Sequence, residues 1–137
     1  MRNTGPWPTL TTIHEAGHFI DLEGIGAKGN FASVSGEPDM REVMAAIERT
    51  EAVKHLRGLL GGATPGLGGY YQYLLDPREL WARAYAQFIA QRSGFAALRR
   101  DLRKATEAEA WRQWERSDFA PVDAAIEVMF RKLGWTQ

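Results

Sequence analysis

His14 and His18 stand four residues apart in the run His14-Glu15-Ala16-Gly17-His18, and they are two of only three histidines in the chain. On a helix, residues four apart share a face one turn apart, so both imidazoles can reach one ion while Glu15 stands beside them. Two imidazole nitrogens at that spacing suit Zn²⁺, and a carboxylate next to them suits a general base acting on water. The chemistry this points to is metal-assisted hydrolysis. Its precondition is a helix across the motif. Ile13, Ala16, Gly17 and Ile20 supply the apolar stripe for one, beside a polar stripe of His14, His18 and Asp21.

A catalytic zinc takes three protein donors and leaves a position open, so a third donor has to come from elsewhere. The chain has no cysteine, which leaves carboxylate or imidazole. Glu79 is the candidate, near the start of a helix whose apolar face must turn to the core. Asp76-x-x-Glu79 is also a capping-box variant, and the residues alone leave ligand and cap both open. Asp21 could fix the tautomer of a ligating histidine by accepting its second ring proton, or sit in solvent. Arg83, one turn after Glu79, could hold that carboxylate or Asp21, or form an exposed ion pair. Gly17, unfavourable in a helix interior, suggests a close helix contact beside the histidines. His55 has no partner motif and reads as a surface residue. Arg99, Arg100, Arg103 and Lys104 read as a solvated helix face, with phosphate contact as the alternative.

The elements that must position these groups are helical almost throughout. A first helix is expected from Thr11 or Thr12 to Gly24 or Gly26. Asn30 to Ser35 alternates in the only strand-like pattern. Pro38, Asp39 and Glu42 open a second helix whose stripe of Met40, Val43, Met44 and Ile47 runs on to Leu59 and Leu60, with a kink at Thr50. Six glycines and Pro65 between Gly58 and Gly69 predict a mobile loop with no regular structure. Asp76 and Pro77 read as N-cap and first helical residue of a helix ending at Ser93-Gly94. A further helix is expected from Phe95 to about Arg116, holding Leu98, Leu102, Trp111 and Trp114, and a last from Pro121 to Leu133, stopped by Gly134.

HEAGHFIDL followed by YLLDPRELWARAYAQF resembles the gluzincin metallopeptidases, in which HExxH and a glutamate on a later helix hold zinc. The lethal-factor-type peptidases and the zincin domains of large phage and mobile-element proteins are the most similar. An acidic residue three after the second histidine (Asp21), a tyrosine before the glutamate (Tyr73) and the stretch Trp81-Ala82-Arg83-Ala84-Tyr85 carry the resemblance over residues 13 to 90. The FAPVDAAIEVMF segment extends it faintly. The resemblance implies His14, His18 and Glu79 as zinc ligands, Glu15 as base, and Tyr73 as oxyanion donor, with Tyr70 and Tyr71 its neighbours for that role. It implies a zinc-dependent peptidase acting on peptide or protein, or else a non-catalytic zincin module that binds a partner within phage or mobile-element machinery. Only thirteen residues precede His14, where such peptidases carry a small sheet. A minimal form, or a module of something larger, is therefore expected.

The chain of 137 residues, 45% hydrophobic and 25% charged, suits one domain spanning residues 1–137. The expected fold class is mainly α, a minimal zincin-like helical domain with little or no β-sheet. Seventeen basic and seventeen acidic residues cancel, so no global field recruits nucleic acid or an anionic membrane. With no apolar leader and no membrane-length segment, a cytoplasmic protein is expected. The oligomeric state is left open.

Overall fold

A helix that starts with Pro8 carries the histidine motif, and a second that starts with Pro77 lies against it along most of its length. In the computed structural model, which describes residues 8–25, 30–62, 68–108 and 112–135, these are α1 (Pro8–Phe19) and α6 (Pro77–Arg92). Between them come α2 (Ala32–Ser35), α3 (Pro38–Glu48), α4 (Glu51–Gly61) and α5 (Gly68–Leu75), and after them α7 (Ala96–Ala108) and α8 (Arg116–Lys132). Among the described residues there is no strand, and the fold is mainly α. No described helix is long and apolar enough to cross a membrane. Gly26, Pro65 and Trp111, to which the sequence assigns a helix stop, a loop and a helical stripe, lie outside the described residues.

Helix α6 is the axis of the molecule. Of its apolar residues Leu80, Trp81, Ala84 and Phe88 are buried and Tyr85 and Ile89 partly so, and Ala82, Arg83, Ala86, Gln87 and Ala90 are buried on its other sides. Alanines at these positions let neighbouring helices close in from several directions, which a leucine-rich helix of this length would prevent. The main core gathers Met40, Val43 and Ile47 of α3, Val53 and Leu56 of α4, and Phe119, Val122, Ile126 and Phe130 of α8 around Leu80, Trp81 and Phe88. A smaller cluster of Leu10, Ala86, Ala90, Leu98 and Ala105 joins α1, α6 and α7.

Several boundaries differ from those the sequence predicts, and at three helix starts a carboxylate from another segment gathers the free amides. Helix α1 begins at Pro8, ahead of Thr11, with Asp101 of α7 accepting from the Thr9 and Leu10 amides at 3.0 and 3.2 Å. Its α-geometry ends at Phe19, and Ile20–Ile25 continue as a wider π-helical turn. The segment 30–35 is not a strand: Ala32–Ser35 form α2, whose Ser33 amide donates to Asp21 at 2.8 Å, and Gly36 ends it at φ 76°. Helices α3 and α4 are separate, broken at Thr50. Its hydroxyl caps Val53 and receives the Trp114 indole N–H at 3.0 Å, while Asp118 of α8 accepts from the Glu51 and Ala52 amides.

The glycine-rich region is shorter as a connection than expected. Gly58 and Gly61 belong to α4, and Gly68 and Gly69 to α5, because packing of Leu56, Leu74 and Leu75 outweighs glycine's poor helix propensity. Helix α7 is described to Ala108 and residues 112–115 are not helical, so it does not run on to Arg116, and α8 starts at Arg116, taking Pro121 inside it. Proline there removes one backbone hydrogen bond near the helix start, on an exposed face.

Trp81 ties the two central helices together. It is fully buried, its Nε1–H donates to the Gly17 carbonyl at 2.8 Å, and its ring meets Phe130 edge-on. Trp81→Ala should therefore cost about 3–5 kcal/mol, a large part of the roughly 5–15 kcal/mol available to a domain. Urea unfolding measures it, and a loss below about 1 kcal/mol would show that Trp81 does not anchor the helix pair.

Candidate metal centre

Helical spacing puts His14 and His18 on one face of α1, and their rings meet nearly edge-on with centroids 4.9 Å apart. The two helices can come close here because Gly17 lies between the histidines at the contact. A Cβ at Gly17 would stand 3.1 Å from the Ala82 Cα and 3.2 Å from the Tyr85 ring. That closeness brings Glu79, in the first turn of α6, across to α1. The Nε2 of His14 lies 3.0 Å from Glu79 Oε1, and the Nε2 of His18 lies 2.9 Å from Oε2. One carboxylate thus receives both imidazole N–H groups.

The capping alternative for Glu79 is not what the structure adopts. Asp76 caps α6 with its own carboxylate, accepting from the Arg78 amide at 2.9 Å, and the Asp76 amide donates to the Tyr73 carbonyl. Glu79 is left to face the histidines. Burial pushes its carboxyl up, but hydrogen bonds from His14, His18 and Tyr73 outweigh burial and hold it well below the usual carboxylate range. The bond to Glu79 likewise raises His18 above the usual imidazole value, against burial.

Glu15 is exposed, and its carboxylate, with the two imidazoles, forms a group whose donor atoms lie within 4.8 Å of one another. It neighbours the imidazoles without receiving their N–H groups. Tyr73 of α5, about half exposed, donates its phenol to Glu79. Burial and that bond push the phenol up to about 12, so it keeps its proton at neutral pH. Tyr71 packs against the main core, with its ring tilted towards Tyr70 at 6.0 Å.

Two expected partners go elsewhere. Asp21 is buried, but its carboxylate accepts from the Ser33 amide and hydroxyl, so it anchors α2 and does not orient a histidine. Arg83 is also buried and holds neither Glu79 nor Asp21. Its Nη2 donates to the Leu74 carbonyl instead. His55 is exposed on α4. Arg99, Arg100, Arg103 and Lys104 are exposed on α7, where Arg99 and Arg103 line a cleft of about 460 Å³ between α6, α7 and the start of α8. That cleft does not touch the motif. A smaller cavity that does, about 150 Å³, is walled by Thr11, His14, Glu15, Tyr73, Arg83 and Arg112 among others. Arg112 had no signal in the sequence: it follows no motif and reaches the site because Gln87 of α6 bonds Gln113 and the Trp114 backbone.

Two imidazoles and a carboxylate are donor types that zinc takes. Ligands of one tetrahedral ion, each about 2.0–2.1 Å from it, lie roughly 3.3 Å apart. The nitrogen–oxygen separations of 2.9 and 3.0 Å are within about half an ångström of that. The protons that now join imidazole to carboxylate are those a metal replaces on binding. No protein-family model, curated protein or solved structure matches the chain.

Proposed function

We propose that the chain is a zinc-dependent peptidase of the gluzincin kind, with His14, His18 and Glu79 as metal ligands and Glu15 as general base. The observation that carries this is the meeting of both Nε2 atoms on one carboxylate supplied by another helix, with a further carboxylate, exposed, beside them. A purely structural ion-pair cluster has no need of the second carboxylate at the cavity.

Zinc held there would polarise the scissile carbonyl and make an attacking water more acidic. Glu15 takes a proton from that water as it attacks and returns it to the departing amine. Tyr73 stands at the cavity rim with its proton retained, so its phenol can turn from Glu79 towards the oxygen that gains charge. Trp81 and Gly17 keep α1 at the distance from α6 that the ligand set needs, and Asp101 holds the start of α1.

The purified full chain should carry one zinc per molecule. Stripping it should lower the melting temperature by roughly 10 °C, since at a hundredfold excess over Kd a ligand of the native state adds about 2.7 kcal/mol. Elemental analysis and melting curves with and without chelator measure this, and a metal-free chain whose melting ignores added zinc would refute the reading. Cleavage of a peptide library then separates the peptidase from a zinc-holding module that only binds a partner, because both bind metal and only one turns over.

A further inference from the structure

The cavity beside the histidines is lined by a buried cation that, among the described residues, has no carboxylate hydrogen-bonded to it. Arg83 is 1% exposed, and of its five N–H groups one is taken by the Leu74 carbonyl. Its Nε and Nη1 are buried and have no hydrogen-bond partner among the described residues. The carboxylate one turn before it, Glu79, is engaged by both imidazoles. The nearby charge of Arg112 lowers the Arg83 guanidinium, after burial, to about 10, which still leaves it charged at neutral pH. A buried, charged and unpaired guanidinium beside a second cation is unfavourable unless an anion joins it. The cavity of about 150 Å³ that Arg83 lines is large enough for a carboxylate and part of a side chain, and His14 and Glu15 form its other wall.

We propose that this cavity is a carboxylate subsite, in which Arg83 holds the C-terminal carboxylate of a peptide so that the last peptide bond lies beside Glu15. A terminal carboxylate carbon and the preceding carbonyl carbon are only roughly 3–4 Å apart, so a carboxylate held by Arg83 keeps the last peptide bond within the cavity that Glu15 also lines. The substrate class is then a peptide with a free C-terminus, cut one residue from its end. Water adds across the last C–N bond, giving a shortened peptide with a new carboxylate and the free terminal amino acid, with no other reactant. The cleavage step rests on the proposed hydrolytic reading; the anion subsite does not.

Binding of three probes to the full chain tests the subsite: acetyl-Ala-Ala as free acid, its C-terminal amide, and acetyl-Ala-Asp amide, whose carboxylate is on a side chain. Calorimetry is run on the protein as purified and again after dialysis against 1,10-phenanthroline, a chelator without carboxylates. The free acid should bind at least tenfold more tightly than either amide in both preparations, and Arg83→Gln should abolish the preference. In wild type the Arg83 Nε–H resonance should shift with the acid and not with the amides, a readout that stands even where Arg83→Gln fails to fold. Equal binding of acid and amide, or binding of none, would mean that water alone fills the cavity and would overturn the proposal. Equal binding of acetyl-Ala-Asp amide and the free acid would overturn the terminal assignment. Acid preference in a chain that never binds zinc would leave the subsite standing and remove the peptidase.

Discussion

Glu79→Gln will bind zinc more than about a hundredfold more weakly than wild type, beyond the ten- to hundredfold that loss of a merely orienting partner brings. The amide keeps the shape of the carboxylate but loses the charge that neutralises the ion and one of the two oxygens now facing the histidines at 2.9 and 3.0 Å. Helix α6 should be little affected, since its N-terminus is capped by Asp76 and starts with Pro77. If Glu79 served as a cap, its loss would cost about 1 kcal/mol and leave the metal in place. Zinc competition with a chromophoric chelator, alongside the helical circular-dichroism signal, separates the two. His14→Ala and His18→Ala set the scale, each removing an imidazole donor. Unchanged affinity in Glu79→Gln would pass the third position to Glu15, the other carboxylate close to both imidazoles.

The histidine pair was legible in the sequence because its information is local: a spacing of four and an apolar stripe beside it define one helix face. Glu79 was legible only as a candidate. Whether it capped its own helix or faced another depends on where α6 crosses α1, and that crossing is set by Gly17, Ala82 and the Trp81 bond to the Gly17 carbonyl. No short-range pattern encodes that contact. Arg83 shows the same limit more sharply: a position one turn from a glutamate reads as a surface ion pair, but a helix buried on several sides takes its arginine inside.

Element boundaries were missed for a related reason. Capping rules look for a serine, threonine or aspartate just ahead of the helix, and Asp76 and Thr50 obey them. Helices α1 and α2 are instead gathered at their starts by Asp101 and Asp21, each from another element, and α4 receives Asp118 of α8 in addition to its Thr50 cap. For Asp21, three residues after His18, the sequence leaves a histidine partner and a solvated position both open, and the structure gives it to Ser33. Asp21, in the π-helical turn Ile20–Ile25, accepts from the Ser33 amide of α2, whose N-cap residue Phe31 makes no side-chain cap bond. Among the described residues the strand-like alternation of 30–35 has no partner strand, and a short helix held by a carboxylate satisfies part of its backbone instead.

Glu15→Gln is the substitution that separates holding the ion from using it. The side chain is exposed, lines the cavity and receives no bond from either imidazole N–H, so its loss should leave both fold and zinc content at wild-type values. Glutamine matches it in size and cannot accept a proton, and general-base catalysis by a positioned side chain contributes typically 10²–10⁴-fold. Turnover of a peptide with a free C-terminus should therefore fall by about that factor, mainly in kcat, because peptide binding would run through Arg83 and not through Glu15. Glu15→Asp should recover part of the rate, since the base survives but stands one methylene further from the water. A Glu15→Gln protein that holds zinc and cleaves at the wild-type rate would place the base elsewhere on the cavity wall; a wild type that holds zinc and cleaves nothing would make the centre a metal-binding module without catalysis.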